Sequence, residues 1–327
     1  MFPEDTGNTS PKSGSFPYMA TLIPNGIYIF TETEFMKKII FGMITLLLVS
    51  ACHKEKSSEK ISSGNDQSTK QNLNNPLKIN TDKNTVRERF PSPEGYKWVA
   101  EPPGSFGYFI EKFPLKPYGS PILKYDGTPI STQHLHDAVF DFNTGSQDLQ
   151  QCADAVIRLR AEYLFKNKKF DEIRFHFTSG DLATWNDYKK GIRALVNGNT
   201  VHFRKTAPAD DSYKNFRNYL DMVFNYAGTI SLHKETQPVT ENSKLKTGDI
   251  LITPGSPGHV VFVAGTCRNS KGEKLYLLGE GFTPAQSVHI LSNPFQKRIS
   301  PWYSLDVDAL QTSTARYIFK PTNFRQF

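Results

Sequence analysis

Long apolar runs are scarce in this chain of 327 residues, and so are cysteines, of which there are three. The most sustained apolar run, Ile39 to Val49, spans about a dozen residues, whereas a membrane-crossing helix needs roughly 20. No run of Lys or Arg is interleaved with aromatic residues, so the net charge of +7 gives no pattern for binding nucleic acid. No internal repeat period is visible. With 38% hydrophobic and 22% charged residues, the composition predicts a globular protein.

The apolar run lies within the pattern of an export signal. Met36-Lys37-Lys38 supplies a basic segment before it, and the small residues of Val49-Ser50-Ala51 follow it immediately before Cys52. This order of charge, apolar core and small residues is typical of a secretory signal peptide. The cysteine after the cleavage site resembles the lipobox of bacterial lipoproteins, which implies lipid attached to Cys52. An ordinary signal peptide followed by a chance cysteine is the alternative.

The position of the signal divides the first part of the chain. We interpret Met36 as the translation start, residues 1–35 as an upstream extension that is not translated, and residues 36–51 as the signal peptide. Residues 52–88, rich in Ser, Lys, Asn and Gln, are predicted to be a flexible tether. The residue after Cys52 is not Asp, which favours the outer membrane of a bacterial cell envelope as the location.

The charge of the mature chain favours anionic surfaces. Residues 1–51 hold three Lys/Arg and four Asp/Glu, so removing them leaves 36 basic and 28 acidic residues and a net charge near +8. Lipid headgroups and acidic polysaccharides are partners of this charge. We expect a membrane through the lipid, peptidoglycan as a further partner, and no nucleic acid.

The first folded region, residues 89–145, is rich in Pro, Gly and aromatic residues. Turn signals such as Pro102-Pro103-Gly104 divide short apolar runs, which predicts a small β-rich region. The predicted strands are Phe106–Phe113, Pro121–Tyr125 and Ala138–Phe142.

Residues 146–327 change from helical to strand patterns. Apolar residues at three- and four-residue steps predict a helix over Gln147–Phe165, with Ser146 or Asp148 as N-cap. Further helices are predicted at Leu182–Leu195 and Asp211–Ala227. Helices followed by a run of strands indicate an α+β fold. The predicted strands are Asp249–Thr253, His259–Gly265, Lys274–Leu278, Ser287–Leu291 and Ala315–Phe319.

Two residues of this region carry candidate chemistry. Cys152 lies in the first turns of its predicted helix, where free N–H groups and the helix dipole lower a thiol pKa. His259 opens the strand that follows Gly258. A histidine that takes the thiol proton would make Cys152 a nucleophile for acyl transfer, provided that a third group orients the imidazole ring.

The two strands around His259 resemble those of papain-like cell-wall peptidases and amidases of the NlpC and CHAP types. The residues that carry the resemblance are Gly248-Asp249-Ile250 on one strand and Gly258-His259-Val260 on the next. It implies a papain-like core of helix plus antiparallel sheet, with Cys152 as nucleophile, His259 as base and Glu280 as the orienting residue. Gln286 and His289 are further candidates for the orienting role. The segment Gln150–Asp154 lacks the usual "DCSG" form, and an N-cap at Asp148 would place Cys152 a full turn inside the helix.

Most of the folded part also resembles a family of lipoproteins of Bacteroidota known as a domain of unknown function. The carrying residues are Phe113–Pro117, Cys152–Ala155, Pro257–His259, Pro284–Gln286 and Pro301–Tyr303. This resemblance implies no particular activity.

These patterns give two hypotheses for function. In the first, the protein is a lipid-anchored cysteine hydrolase, a peptidase or amidase, that acts on peptidoglycan peptide and needs no cofactor. In the second, it is a non-catalytic envelope lipoprotein that binds glycan or a protein partner.

Several residues have simpler interpretations. Cys152 can be a buried apolar residue, or it can form a disulfide with Cys267, although a strand that brings His259 to Cys152 carries Cys267 roughly 26 Å away. His134 and His136 have the alternate spacing of two zinc ligands on one strand face, but no third ligand follows, so no metal is predicted. The aromatic residues Trp185, Tyr188, Tyr213, Phe216 and Tyr219 have helical spacing, which favours core packing over a sugar-binding cleft.

Overall fold

The strands in the described part of the chain form one large antiparallel sheet and three small hairpins. A computed structural model describes residues 77–327. In chain order the strands are β1 (Tyr96–Trp98), β2 (His136–Val139), β3 (Arg174–His176), β4 (Leu182–Thr184), β5 (Ile192–Asn197), β6 (Thr200–Lys205), β7 (Gln237–Pro238), β8 (Ile250–Thr253), β9 (His259–Asn269), β10 (Lys274–Glu280), β11 (His289–Leu291), β12 (Trp302–Tyr303), β13 (Thr312–Ser313), β14 (Ile318–Phe319) and β15 (Phe324–Gln326).

The large sheet has nine of these strands. Seven of them follow the order β2-β11-β10-β9-β8-β15-β7, and β1 and β12 pair with β9 and β10, respectively. The hairpins are β3–β4, β5–β6 and β13–β14.

Helices pack against this sheet and confirm a mixed α and β fold. The longest helix within residues 77–327, α3 (Cys152–Lys166), lies across β9 and β10, and α2 (Phe106–Glu111) also contacts β9. Single 3-10 turns occur at Gln133–Leu135 and Phe170–Glu172. The α-helices are α1 (Val86–Arg89), α2 (Phe106–Glu111), α3 (Cys152–Lys166), α4 (Trp185–Tyr188), α5 (Tyr213–Tyr226) and α6 (Thr229–Glu235).

Strand β9 is the centre of the core because both of its faces are covered. On one face, Val261 and Val263 belong to a buried apolar cluster that includes Phe319. On the other face, Phe262 meets Phe140 with ring centroids 5.6 Å apart. The β-branched valines suit a strand, and each fully buried side chain of this kind contributes about 1.5–3 kcal/mol. Packing on both faces therefore holds β9 in place, and with it the backbone of its first residue, His259.

The folded part starts earlier than residue 89. Within the predicted tether, residues 77–88, as far as the structure describes them, already include most of α1. Val86 and Arg89 of this helix are buried. The Arg89 guanidinium donates to the carbonyl oxygens of Lys83 at 2.6 Å and Lys116 at 2.7 Å. Arg89 thus ties the end of the predicted tether to the folded chain.

The prediction of a strand at Phe106–Phe113 is wrong, since this segment forms α2. Ser105 caps the helix by accepting a hydrogen bond from the backbone N–H of Tyr108 at 3.1 Å. The helix buries Ile110, and Phe113 follows it in the core. The apolar side chains of this segment recur at a three-residue step, which is a helical pattern that the strong turn signals nearby obscured. The strands of residues 89–145, β1 and β2, join the large sheet rather than a separate one.

The prediction of a helix at Leu182–Leu195 is also wrong. Within these residues only α4 is helical. Gly191, with φ +95, lies between α4 and the start of β5. A Cβ at Gly191 would lie 1.9 Å from the carbonyl oxygen of Ala207, so no other residue fits without a shift of the backbone. β5 and β6 then pair around the two-residue loop Gly198-Asn199, a hairpin signal that the helical pattern obscured.

The remaining elements follow the predictions more closely. Helix α5 falls within the predicted Asp211–Ala227, and β8, β9, β10 and β11 lie at or near their predicted positions. The strand predicted at Pro121–Tyr125 is reduced to two isolated bridges, and that at Ala315–Phe319 is reduced to β14.

The predicted lipid attachment site, Cys52, lies outside the described residues, as do the signal peptide and the upstream extension. Within residues 77–327, no helix is long and apolar enough to cross a membrane.

Candidate active site

Cys152 is the first residue of α3, with Gln151 as N-cap. The expectation that an N-cap at Asp148 would place Cys152 a turn inside the helix is therefore wrong. Cys152 is 8% exposed and its thiol is free. The backbone N–H groups of Ala153 and Val260 act on the thiol and lower its pKa, against the larger effect of burial. The second of these contacts joins the start of α3 to the second residue of β9.

The helix begins at this point because Asp154, its third residue, forms a capping box with the N-cap residue Gln151. The Oδ2 atom of Asp154 accepts a hydrogen bond from the Gln151 backbone N–H at 3.0 Å. Asp148 does not cap the helix, because its hydrogen bonds are to a side chain and to a distant part of the chain. Its Oδ1 accepts from Gln151 Nε2 at 3.0 Å and from the Ala285 backbone N–H at 2.6 Å. Asp148 thereby attaches the N-terminus of α3 to the segment that follows β10.

A glycine allows α3 and the end of β10 to approach closely. Gly281 follows β10 directly, and a Cβ on it would lie 2.8 Å from the Cβ of Ala155 and 2.8 Å from the carbonyl oxygen of Gln151. Any side chain at this position would push the N-terminus of α3 away from the sheet. Gly281 therefore helps to set the position of Cys152.

His259 begins β9 beside the same helix. It pairs with Thr253 of β8, and the loop between the two strands ends in Gly258. A Cβ on Gly258 would lie 2.4 Å from Thr229 Oγ1 and 2.6 Å from the carbonyl oxygen of Gly255. This tight packing of the loop next to His259 holds the backbone from which the imidazole extends into the site.

Glu280 orients the imidazole of His259. The Nε2 atom of His259 lies 2.8 Å from Oε2 of Glu280. A carboxylate can only accept, so Nε2 carries the proton, and in the neutral ring the lone pair is on Nδ1. This tautomer is the one that a proton acceptor at Nδ1 requires. Of the three candidates for the orienting role, Glu280 makes this direct hydrogen bond.

Aromatic rings hold the imidazole from its sides. The His259 ring centroid lies 4.9 Å from that of Phe282, 4.8 Å from that of Tyr317 and 5.9 Å from that of Phe319. The side chain is 4% exposed. His259 is therefore confined by packing as well as by its hydrogen bond.

A buried group of polar residues supports Glu280 from behind. The Oε1 atom of Glu280 lies 3.4 Å from His289 Nε2 and 3.4 Å from Arg316 Nη1. Arg316 also donates to Oε1 of Gln286 at 3.0 Å. Gln286 and His289, predicted to line the site, thus belong to the support of Glu280 and not to the described cavity lining.

Glu280 is ionised in this environment. Burial by itself raises the pKa of a carboxyl group. Here the hydrogen bond from His259 and the proximity of His289 outweigh burial and lower the pKa of Glu280 to about 2. The carboxylate charge is then available to stabilise a positive charge on His259.

Cys152 and His259 line one cavity of about 570 Å³. Its walls come from the start of α3, the loop before β9, the segment between α5 and α6, and the residues after β10. Phe224, Thr229, Phe282 and Tyr317 are among its lining residues. A nucleophile candidate and a base candidate therefore face the same space, which is large enough for part of a peptide.

The thiol of Cys152 is protonated in the unliganded protein. Burial raises its pKa to about 11, and the negative charge of Asp154 adds to the rise. Burial likewise raises the pKa of Asp154 to about 8. Activation of this thiol thus requires a base, and His259 is the base candidate that shares its cavity.

The second cysteine stands apart from the site. Cys267 lies in β9, where it pairs with Trp98 of β1 and Leu275 of β10. Both Cys152 and Cys267 are free and buried, so the alternative of a disulfide between them is not present.

Comparison with known sequences identifies the family. The sequence profile of a family described as Domain of unknown function (4846) matches residues 86–326. The chain belongs to this family. No curated protein and no solved structure matches the chain.

The domain of unknown function covers the whole candidate site. Cys152, His259 and Glu280 lie within residues 86–326, as do Gln286 and His289. Arg316 and Asp154 also belong to the site, although no sequence motif pointed to their roles. Arg316 lies between β13 and β14 in a segment without a motif, and Asp154 stood out only as part of the segment Cys152–Ala155.

His134 and His136, whose alternate spacing would suit two ligands on one strand face, do not lie on one strand. His134 lies in a 3-10 turn and His136 begins β2, so they do not alternate along one strand. The ring nitrogens of His136 lie 2.6 Å from the carbonyl oxygen of Gln133 and 3.0 Å from that of Ser120. Residues 77–327 contain no group of three or more His, Cys, Asp or Glu side chains that could hold a metal.

The aromatic residues of α4 and α5 pack into the interior of the domain. Trp185, Phe216 and Tyr219 are at most 1% exposed. Their rings contact one another, and Tyr219 donates to the carbonyl oxygen of Ala183 at 3.0 Å. This agrees with core packing and gives no open aromatic cleft at these positions.

Proposed function

We propose that this protein is a cysteine hydrolase that cleaves an amide bond, as a peptidase or amidase does. Cys152 is the nucleophile, His259 the general base and then acid, and Glu280 the residue that orients His259. The observation that carries the proposal is the shared cavity, which Cys152 lines at a helix N-terminus and His259 lines with its carboxylate partner behind it.

The reaction proceeds in two acyl-transfer steps. Nδ1 of His259 takes the thiol proton of Cys152 as the sulfur attacks the carbonyl carbon of the substrate. His259 then gives this proton to the leaving nitrogen, the C–N bond breaks, and a thioester remains on Cys152. Water attacks the thioester while His259 takes a proton from it. A carboxylic acid leaves, and the thiol is restored.

The helix start provides a donor for the oxyanion of each step. The first N–H groups of an α-helix have no acceptor within the helix, and Cys152 is the first residue of α3. Its backbone N–H can therefore donate to an oxygen whose carbon is bonded to the Cys152 sulfur. Loss of one such donor typically lowers kcat about 100- to 1000-fold.

The high thiol pKa determines how the nucleophile forms. With a pKa of about 11, Cys152 is not a stable thiolate near neutral pH. Proton transfer to His259 accompanies the attack, and the Glu280 carboxylate stabilises the imidazolium that results. A substrate that displaces water from the cavity strengthens each of these electrostatic interactions.

The arrangement supports a papain-like core. In this chain, as in the NlpC and CHAP types, a cysteine at a helix start precedes a histidine at a strand start and a polar residue on the neighbouring strand. By this resemblance we propose peptidoglycan stem peptide as the substrate. Export, lipid attachment at Cys52 and a place in the outer membrane of a bacterium of the Bacteroidota would bring the enzyme to it.

The second candidate is a non-catalytic envelope lipoprotein that binds glycan or a protein partner in the same cavity. The burial of Cys152 and its raised thiol pKa favour this alternative, because a binding protein needs no reactive thiol. The two functions differ in whether Cys152 is consumed and restored during turnover.

Digestion of purified sacculi distinguishes these functions. We expect the wild-type protein to release soluble peptide fragments and the Cys152→Ala and His259→Ala variants to release none. Cys267→Ala is the matched control, since it removes the other buried thiol, and we expect it to remain active. Binding of sacculi by wild type and Cys152→Ala alike, without release of fragments, would support the binding protein instead.

A further inference from the structure

The chain between α3 and β8 contributes one wall of the proposed active site. Within residues 167–249, helix α6 packs against both α3 and β8. The first residue of this helix, Thr229, lines the same cavity as Cys152 and His259 and is 6% exposed. The proposed mechanism gives Thr229 no role.

The hydroxyl group of Thr229 holds the loop between β8 and β9. Its Oγ1 donates a hydrogen bond to the carbonyl oxygen of Gly255 at 3.1 Å and accepts one from the Gly255 backbone N–H at 3.2 Å. A hydroxyl group has one proton and two lone pairs, so it can make both bonds at once. A single side chain of α6 therefore engages both backbone polar groups of one loop residue.

This loop leads directly into His259. The pair of Thr253 and His259 is the last pair of the β8–β9 ladder, so the ladder does not hold the loop beyond these residues. The loop residues from Gly255 to Gly258 all line the cavity. A Cβ on Gly258 would lie 2.4 Å from Thr229 Oγ1. The hydroxyl is therefore close to the loop at two positions, and the second of them is next to His259.

The hydrogen bond between His259 and Glu280 depends on where the backbone of His259 lies. The two side chains meet with Nε2 2.8 Å from Oε2. A hydrogen bond weakens steeply when its distance grows or its angle bends. A displaced loop would carry the first residue of β9 with it and misalign the imidazole.

We infer that Thr229 is a positioning residue for His259 and acts through the β8–β9 loop. This inference rests on the proposed function, and it gives the chain between the nucleophile and the base a part in aligning the base. The variants that test it differ in the hydroxyl group. Serine keeps both hydrogen bonds to Gly255, whereas valine keeps the branched shape of threonine and makes neither bond.

Steady-state kinetics on a synthetic stem peptide measures the effect on turnover. We expect Thr229→Val to lower kcat about 10- to 100-fold with little change in KM, because a small misplacement of a reacting group is costly. Thr229→Ala removes the hydroxyl with less bulk and should behave like Thr229→Val, and Thr229→Ser should retain most of kcat. A rise in KM with unchanged kcat would indicate a substrate contact and overturn the inference.

Thr236, at the other end of α6, provides the matched control. It is fully buried, and its Oγ1 donates to the carbonyl oxygen of Leu232 at 2.8 Å. Thr236→Val thus removes a buried hydroxyl from the end of the same helix without touching the β8–β9 loop. At a temperature where the protein is fully folded, we expect this variant to keep its kcat. An equal loss of kcat in Thr236→Val and Thr229→Val would show that loosening of α6 is responsible, and would overturn the inference.

NMR of protein with isotope-labelled histidine separates this inference from the proposed function. The Nε2–H group of His259 is buried and hydrogen-bonded to Glu280, so it should give a slowly exchanging signal, assigned by its loss in His259→Gln. We expect this signal to shift or broaden in Thr229→Val and to stay unchanged in Thr229→Ser and Thr236→Val. That result without any cleavage by wild type would overturn the hydrolase and leave the positioning role standing. An identical His259 signal in wild type and Thr229→Val would overturn the positioning role.

Discussion

Nε2 of His259 lies 2.8 Å from Oε2 of Glu280, and the two side chains are 4% and 0% exposed. A hydrogen bond between two such buried groups determines both the tautomer and the direction of the imidazole ring. It leaves Nδ1 without a proton in the neutral ring, and in the proposed mechanism Nδ1 takes the proton of Cys152. The proposed chemistry depends on this pair as much as on the thiol.

Replacing Glu280 by Gln tests the role of this carboxylate. The amide keeps a similar shape but cannot stabilise an imidazolium, so we expect kcat to fall about 100-fold or more with a smaller change in KM. Steady-state kinetics on a stem peptide measures both values. A Glu280→Gln variant with wild-type kcat would contradict the orienting role.

The same carboxylate predicts how stability depends on pH. The pKa of Glu280 falls from its ordinary 4.5 to about 2 in the folded protein. Its contribution is therefore fully present above pH 4.5 and is lost as the pH falls through 2. The difference corresponds to about 3 kcal/mol. Urea unfolding at pH 5 and at pH 2.5 should show a larger loss of free energy of unfolding for wild type than for Glu280→Gln. Parallel losses in the two proteins would show that Glu280 is not responsible.

Arg316 is expected to act through Glu280 and not on the substrate. Its Nη1 lies 3.4 Å from Glu280 Oε1 and 3.0 Å from Gln286 Oε1. Arg316→Met should lower kcat about tenfold with little effect on KM, because the carboxylate loses a charged neighbour. Arg316→Lys keeps the charge and should recover part of kcat. A rise in KM alone would instead indicate a substrate contact.

Gly281→Ala should displace the nucleophile. The new Cβ would lie 2.8 Å from the carbonyl oxygen of Gln151, the N-cap of α3. Overpacking of this kind costs about 1–3 kcal/mol in stability. We expect activity at a temperature where the variant is fully folded to fall more than tenfold, because a small shift of a reacting group is costly. Thermal unfolding followed by circular dichroism establishes the folded range. Full activity in that range would show that the approach of α3 to β10 does not control the site.

The sequence predicted the strand that carries His259 better than the helix that carries Cys152. The run from Val260 to Val263 consists of three valines and Phe262, which are residue types that favour a strand, and both faces of β9 are buried in the fold. The start of α3 depended on which of several polar residues capped it. Ser146 and Asp148 looked suitable, but Asp148 binds the Ala285 N–H, a residue 137 positions away, and Asp154 caps the helix instead.

Other parts of the site could not be read from local sequence. Arg316 reaches Glu280 only because β10, β11 and the segment before β14 come together in the fold. The error at Leu182–Leu195 has a similar cause. The residues of β5 satisfy a helical pattern, yet pairing with β6 across Gly198-Asn199 determines their conformation.

Acid-quenched mass spectrometry of the protein during turnover tests the central claim most directly. The proposed mechanism passes through a thioester on Cys152, so wild type mixed with stem peptide should gain the mass of the acyl fragment. Peptide mapping should locate that mass on Cys152. The Cys267→Ala protein should show the same adduct, and Cys152→Ala should show none. Cleavage of the peptide by Cys152→Ala, or an adduct on any other residue, would contradict the assignment of Cys152 as the nucleophile.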